Sequence, residues 1–186
     1  MSVFPKPYAD LVARLRVASG FVLVLAFAWF SQPDKRSVII GLPVSLIGLL
    51  LRAWAAGHLA KNMSLAQGGP YAYVRNPLYV GTLLVAAGLV IATQRWLLAA
   101  LFTAVFVLIY LPVIELEQQH LSKLFPNFAA YSKRVPSLWP TLRPVKSEAS
   151  FQWSLYLRNQ EYQALLGFLA GEAFLIAKAF FLPIVP

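Results

Sequence analysis

The residues with the clearest chemical potential lie in a short polar segment, GGPYAYVRNPLYVG, at positions 68–81 between two strongly apolar stretches. Its glycines permit tight turns and a close approach of the backbone to a ligand, and Pro77 favours a helix start at its own position. The free backbone donors of such a helix start attract a carboxylate or a similar anion. Arg75 precedes the start, and Tyr73 and Tyr79 add rings with hydroxyl tips. The segment could therefore bind an anionic ligand, or it could be an ordinary interfacial loop of a membrane protein.

A second polar segment, IELEQQHLSKLFPNFAAYSKRVPSLWPTLRP, occupies positions 114–144. Glu117 shares a helix face with His120 at three-residue spacing, and its carboxylate could bind an ammonium group. Arg134 could meet an anionic group through two hydrogen bonds, either on a substrate or on a lipid phosphate. His58 is the only other histidine in the chain, and no clustered set of ligands completes a metal site around His120. We therefore expect no bound metal.

Composition decides the solvent in which these segments lie. The chain has 186 residues, of which 59% are hydrophobic and 12% are charged, whereas a soluble domain has about 25% charged residues. The absence of cysteine excludes disulfides, thiolate metal ligands and a cysteine nucleophile. We expect an all-α, polytopic integral membrane protein with about five transmembrane helices and a cytoplasmic cofactor-binding face. The predicted spans are residues 17–30, extendable back toward residue 8, and residues 37–60, 78–93, 96–114 and 162–186.

The distribution of Lys and Arg predicts the orientation of these spans, because positive charge near span ends is retained in the cytoplasm. With the N-terminus inside, eleven basic residues lie on the cytoplasmic side and only Lys35, Arg36 and Arg95 lie outside. The N-terminus and both polar segments are then cytoplasmic, and we expect the protein in a bacterial inner membrane. The basic face would attract anionic lipid headgroups. We do not expect nucleic-acid binding, because no stacking platform accompanies the basic residues.

The chain divides into three predicted parts. Residues 1–144 would form a core of four spans with the cytoplasmic site, residues 145–161 a linker or interfacial segment, and residues 162–186 an appended span. The appended span contains GFLAG at residues 167–171, and its small-xxx-small spacing is compatible with helix packing and with a homodimer.

The two polar segments together resemble one family. GPYAYVRNPLYVG resembles the G-P-Y-x-Y-x-R-H-P-x-Y-x-G element of integral membrane methyltransferases related to isoprenylcysteine carboxyl methyltransferase and to phospholipid N-methyltransferases. The second segment resembles the E-E-x-x-L-x-x-x-F-G-x-x-Y-x-x-Y-x-x-R-V-P element of the same family, and the two elements arrive in family order. The resemblance covers roughly residues 15–144. The matching positions of the second element are Glu117, Gln118, Leu121, Phe125, Pro126, Phe128, Tyr131, Arg134, Val135 and Pro136.

The resemblance implies that S-adenosylmethionine binds at the cytoplasmic face and that a lipid or lipidated acceptor arrives from the bilayer. The acceptor would be the carboxylate of a prenylated cysteine or the amine of a phospholipid. Glu117 and Arg134 would be catalytic, with Glu117 also contacting the cofactor ammonium, and Tyr131 and Arg134 would contact the acceptor. The implied cofactor-binding residues are Tyr73, Arg75, Asn76, Pro77, Tyr79, Gly81 and Glu117.

Three positions depart from the family pattern: Asn76 replaces a histidine, Gln118 replaces the second glutamate and Pro126 replaces a glycine. Asparagine can donate hydrogen bonds but cannot gain a proton, so a cofactor-positioning role suits Asn76 better than an acid–base role. These departures leave an alternative open, in which the chain is a non-catalytic lipid-binding or assembly relative with a degenerate site.

Overall fold

The computed structural model describes residues 4–145 and 147–181, which are helical wherever they have regular secondary structure. A 3₁₀ turn at Gly69–Ala72 precedes α3, and a π-helical segment at Phe106–Tyr110 separates α4 from α5. The α-helices are α1 (Lys6–Phe30), α2 (Lys35–Ala56), α3 (Pro77–Thr93), α4 (Trp96–Val105), α5 (Leu111–Leu124), α6 (Phe128–Arg134), α7 (Trp153–Arg158) and α8 (Tyr162–Phe181).

The helices confirm the predicted all-α, polytopic membrane class. Within the described residues, α1, α2, the continuous helix Trp96–Leu124 and α8 are long and apolar enough to cross a membrane, and α3 is a shorter apolar helix of 17 residues. The predicted end of the second span was wrong by four residues, because α2 ends at Ala56 rather than at residue 60. Residues 182–186 of the predicted fifth span lie outside the described residues.

The π-helical segment has a local cause. Pro112 has no backbone N–H, so it cannot donate to the carbonyl of Leu108 four residues earlier. The hydroxyl of Tyr8 donates to that carbonyl instead, at 2.6 Å. The Leu111 N–H donates to Phe106, five residues back, which is the π-helical pattern. The Tyr8 side chain therefore joins α1 to the continuous helix Trp96–Leu124 at the carbonyl that Pro112 leaves without its helical donor.

The described chain forms two compact units, and α2, α3, α5 and α8 are divided between them. The first unit comprises residues 4–43, 86–120 and 171–181. In it the two short connections of the helical hairpins meet, because the Gln32 N–H donates to Thr93 O at 2.9 Å and the Ser37 hydroxyl donates to Ala92 O at 2.9 Å. Its core contains Val38, Ala92 and Leu175 with Phe27, Leu89 and Ala179 packed around them.

The second unit comprises Val44–Val85 and Leu121–Ala170. It contains all of the first polar segment, residues 68–81, and residues 121–144 of the second. Helices α2 and α3 pack closely through two glycines. A Cβ on Gly48 would lie 2.6 Å from Gly81 O, and one on Gly81 would lie 2.7 Å from Gly48 O. A second core forms around Phe128, Tyr131 and Val135, against Leu65, Leu121, Phe125 and Val145. The three-part domain division stays a prediction.

Candidate functional site

Backbone hydrogen bonds join the two polar segments within the second unit. The Arg75 N–H donates to Pro136 O at 2.9 Å, and the Asn76 N–H donates to Ser137 O at 3.2 Å. In the other direction, the Thr141 N–H donates to Tyr73 O at 2.8 Å, and the Val145 N–H donates to Ala72 O at 3.2 Å. The loop that follows α6 is therefore laid along the residues that lead into α3. Two motifs separated by two helices in the sequence form one surface.

Asn76 reinforces this pairing with its side chain. Its Nδ2 donates both to Ser137 O at 3.0 Å and to the Ser137 hydroxyl at 2.9 Å. Its backbone carbonyl accepts the Tyr79 and Val80 N–H groups at 3.1 Å each, so it begins the hydrogen-bond ladder of α3. Pro77, the first residue of that helix, is fully buried. An amide suits this position because it offers two donors at once, which a neutral imidazole cannot.

Arg75 of the first segment and Tyr131 of the second lie close enough to interact electrostatically. Arg75 is half-buried, with its guanidinium carbon 5.9 Å from the centroid of the Phe128 ring. Burial lowers the pKa of Arg75, and the phenol of Tyr131 acts in the opposite direction. Tyr131 is buried and its hydroxyl donates to Tyr71 O at 2.7 Å. Burial raises the pKa of Tyr131, which the charge of Arg75 partly offsets. Arg75 is thus a charged group in a partly desolvated position, where its interactions with an anion are strengthened.

The other residues implied by the resemblance differ in their surroundings. Tyr73 is exposed, and Tyr79 is half-buried in the first turn of α3. Arg134 is exposed in the last turn of α6, directly before the fully buried Val135. Gly81 is buried in the contact with α2, so its missing side chain is already explained by helix packing. A direct contact of Gly81 with a cofactor stays a prediction.

Glu117 belongs to the first unit, in α5. Its side chain is half-exposed, and its Oε1 lies 3.8 Å from Arg16 Nη1. At this length and exposure the pair contributes little to stability. The role of Glu117 toward a cofactor ammonium stays a sequence prediction.

Sequence reasoning missed a partly buried polar cluster around Arg52 of α2. Arg52 Nε donates to Glu161 Oε1 at 2.6 Å, and Arg52 Nη2 donates to Glu161 Oε2 at 3.0 Å. Arg52 Nη1 also donates to the Thr82 hydroxyl at 2.5 Å and to Leu78 O at 3.3 Å, in the first turns of α3. The signal that could have revealed it is the presence of an arginine within an apolar span, since such residues usually have a polar partner.

The chain between Ser147 and Glu161 packs on the end of α2, and Ser147 and Ala149 lie against Gly68. The Gln152 N–H donates to Gly57 O at 2.9 Å, and the ring of Phe151 fills the space beside Gly57. His58 lies edge-on to Phe151, and its Nδ1 is 2.8 Å from Trp54 O. Gly69 has a φ of +55° and lies against the His58 ring, so a side chain there would be both strained and obstructed. The segment predicted as a linker or interfacial region thus supports the candidate site.

No group of three or more His, Cys, Asp or Glu side chains that could hold a metal ion lies together in residues 4–145 and 147–181. The predicted absence of a metal stays a prediction.

The family described as phospholipid methyltransferase matches residues 37–127. The chain belongs to this family of integral membrane proteins, as the resemblance of the two motifs indicated.

Two curated relatives extend the similarity beyond that region. The cobalt-zinc-cadmium resistance protein CzcN of Cupriavidus metallidurans is 33% identical over 154 residues, which are 77% of this chain and 69% of that protein. The nickel-cobalt-cadmium resistance protein NccN of Alcaligenes xylosoxydans xylosoxydans is 33% identical over 159 residues, which are 79% of this chain and 75% of that protein. No solved structure matches the chain.

Proposed function

We propose that this protein transfers a methyl group from S-adenosylmethionine to a lipid-like acceptor at the membrane surface. The observation that carries the proposal is the joining of the two polar segments by three backbone hydrogen bonds, with a fourth from Val145 directly after them, in a chain of the phospholipid methyltransferase family. The acceptor is either a carboxylate of the isoprenylcysteine type or the amine of a phospholipid. The reaction takes place on the cytoplasmic side of a bacterial inner membrane.

The residues of the second unit fit the anionic end of the cofactor. Arg75 offers a positive charge in a half-buried position, and the positive end of the α3 dipole lies directly after it. Tyr73, exposed beside them, offers a ring and a hydroxyl. Asn76 positions this turn through Ser137 rather than contacting the reacting atoms. The Cβ space beside Gly81 is taken by α2, so Gly81 acts through the placement of α3.

When bound, S-adenosylmethionine supplies a methyl group already activated by its positive sulfur. The protein therefore needs to orient the acceptor, exclude water and stabilise charge, and it needs no covalent step of its own. Arg134 is exposed at the end of α6 and would orient the polar end of the acceptor. Tyr131, which is bonded to Tyr71 O through its hydroxyl, lies near Arg75 and in the same helix, α6, as Arg134.

The names of the two relatives suggest a physiological setting. Both are resistance proteins for divalent metals, and we propose that this chain acts in the same setting through its methylated product rather than by ligating the metal. The chemistry of the chain supports this division, since it has no cysteine and only two histidines. A strain that lacks the protein should lose metal tolerance, and Arg134→Ala should fail to restore it.

The decisive experiment incubates the purified protein with methyl-labelled S-adenosylmethionine and total membrane lipid, followed by identification of the labelled species. We expect label in one lipid class, and we expect calorimetric binding of S-adenosylhomocysteine. Arg95→Ala, an exposed arginine in the α3–α4 connection, is the matched control and should keep both activities. Binding without label would favour a different acceptor. Failure to bind at millimolar ligand would favour the alternative, a non-catalytic lipid-binding or assembly relative.

A further inference from the structure

Two elements of the second unit expose large apolar side chains outside the apolar helices. The loop at residues 137–144 exposes Trp139 at 81% and Leu142 at 97%. Helix α7 exposes Trp153 at 70% and Leu157 at 58%, which are four residues apart and share one helix face. Exposed side chains of this size, paired in each element, indicate a surface that is covered by something other than water.

Hydrogen bonds hold the loop 137–144 next to the start of α3 and hold α7 next to the end of α2. The loop is bonded to Tyr73 and Asn76, which immediately precede α3, and the Asn76 contact includes the side chain. Helix α7 is bonded to the end of α2, because the Asn159 Nδ2 donates to Ala56 O at 3.0 Å and to Leu59 O at 2.9 Å. Since α2 and α3 pack side by side, one ending where the other begins, the loop and α7 lie at the same edge of the apolar helices.

The charge of this unit favours an anionic partner. Residues 44–85 and 121–170 contain nine Lys and Arg but only two glutamates. One of those glutamates, Glu161, is buried in the pair with Arg52, so Glu148 is the one acidic residue left for the surface. Arg143 in the loop and Arg158 in α7 are both exposed beside the apolar pairs. Tryptophan with arginine at a span end is the composition of a membrane interface.

We propose that the loop 137–144 and helix α7 form a rim that inserts into the surface of an anionic lipid leaflet. Trp139, Leu142, Trp153 and Leu157 enter the boundary between headgroups and acyl chains, and Arg143 and Arg158 contact lipid phosphates. The rim sets the height of the candidate site, because the loop is bonded directly to Tyr73 and Asn76. A lipid acceptor would then reach the site without leaving the leaflet. The inference stands on exposure and charge, and it does not depend on methyl transfer.

The absence of cysteine allows a direct test in the full-length protein. Nitroxide labels are placed singly at Leu142→Cys and Leu157→Cys, and the protein is reconstituted into nanodiscs of phosphatidylcholine or of phosphatidylcholine mixed equally with phosphatidylglycerol. Collision with oxygen reports contact with lipid, and collision with a water-soluble nickel chelate reports contact with water. Glu148→Cys, an exposed position between the two elements, is the aqueous control, and Ile39→Cys on the exposed side of α2 is the lipid control.

We expect labels at Leu142 and Leu157 to collide more with oxygen than with nickel, as at Ile39, and to move further in this direction in the anionic nanodiscs. Replacing Arg143 and Arg158 together by glutamine should abolish the difference between the two lipid mixtures while leaving the labels in contact with lipid. Nickel accessibility equal to that at Glu148 would overturn the proposal, because the side chains would then be in water. Protection from both reagents would also overturn it, since it would indicate that a protein covers this surface.

Discussion

Arg52 of α2 and Glu161, the residue before α8, form a bidentate ion pair with N–O distances of 2.6 and 3.0 Å. The carboxylate is buried, and the third nitrogen of Arg52 is bonded in the first turns of α3. One guanidinium therefore connects three parts of the second unit: the end of α2, the start of α3 and the start of α8. Each of these parts adjoins the candidate site or the proposed rim.

Removal of one partner of this pair should destabilise the protein strongly. Glu161→Ala leaves Arg52, which is itself partly buried, without its counter-charge, and we expect a loss of up to about 3 kcal/mol. The measurement is thermal unfolding in detergent, with Glu148→Ala in the same segment as an exposed control that changes little. The double variant Arg52→Met with Glu161→Leu should recover most of the loss. If Glu161→Ala were as stable as the Glu148→Ala control, the ion pair between Arg52 and Glu161 would not form in the folded protein.

Gly81 should be required for packing rather than for a direct ligand contact. A Cβ at this position would lie 2.5 Å from Arg52 Cγ and 2.7 Å from Gly48 O. Gly48 O is a backbone atom of α2, so it cannot shift without moving the helix. We expect Gly81→Ala to cost about 1 to 3 kcal/mol of stability through overpacking. Gly167→Ala is the matched control, because nothing lies within 4 Å of its Cβ and the helix gains propensity. Equal stability of the two variants would contradict the close approach of α2 and α3.

Tyr131 should make stability sensitive to alkaline pH. Its folded pKa is raised above the ordinary value of 10.0, so above that pH the unfolded chain loses the phenolic proton and the folded chain keeps it. The contribution of Tyr131 is therefore fully present below pH 10 and is lost as pH rises through the folded pKa. Tyr131→Phe should flatten this decline and should cost about 1 to 3 kcal/mol at neutral pH, because Tyr71 O loses its donor. Unfolding temperatures measured from neutral to alkaline pH provide the comparison, and parallel profiles would speak against it.

Replacement of Arg75 should affect cofactor affinity, whereas replacement of Arg134 should affect turnover. Arg75→Ala should weaken the binding of S-adenosylhomocysteine by about tenfold to a hundredfold, because a charge-assisted contact contributes about 1.5 to 3 kcal/mol. Arg134→Ala should leave that affinity nearly intact and lower turnover by roughly two orders of magnitude or more. Arg134→Lys should restore only part of the rate, since lysine lacks the planar fork. Calorimetry and single-turnover rates measure the two quantities independently, and similar profiles for both alanine variants would favour simple lipid anchoring.

The orientation of the chain can be tested with single cysteines in intact cells. Ser147→Cys, exposed in the second unit, should resist a membrane-impermeant thiol reagent until the cells are opened, because the basic segments are predicted to be cytoplasmic. Gln94→Cys, exposed in the connection between α3 and α4, should react from outside. The reverse labelling pattern would invert the predicted topology.

The apolar helices and the polar segments were predictable from the sequence alone, because both depend on local chemistry. A run of apolar side chains must satisfy its backbone within the helix in a bilayer, so composition and length indicate where the spans lie, although they misplaced the end of α2 by four residues. The start of α3 at Pro77 follows equally from a local rule, since proline fixes φ and needs no donor at the first helical position. The family resemblance of the two motifs also required no structure.

Only the tertiary structure decided which of these local features meet. Arg52 and Glu161 are 109 positions apart, and Tyr71 and Tyr131 are 60 apart, so no spacing rule links them. The helix α2 ends at Ala56, earlier than the apolar pattern indicates, and Phe151, far along the chain, occupies the space beside the next residue, Gly57. The pairing of Arg75 with Pro136 likewise depends on where the loop after α6 is laid. Such contacts form only when distant segments pack together in the folded state. Their free energy therefore cannot be assigned from any single stretch of the sequence.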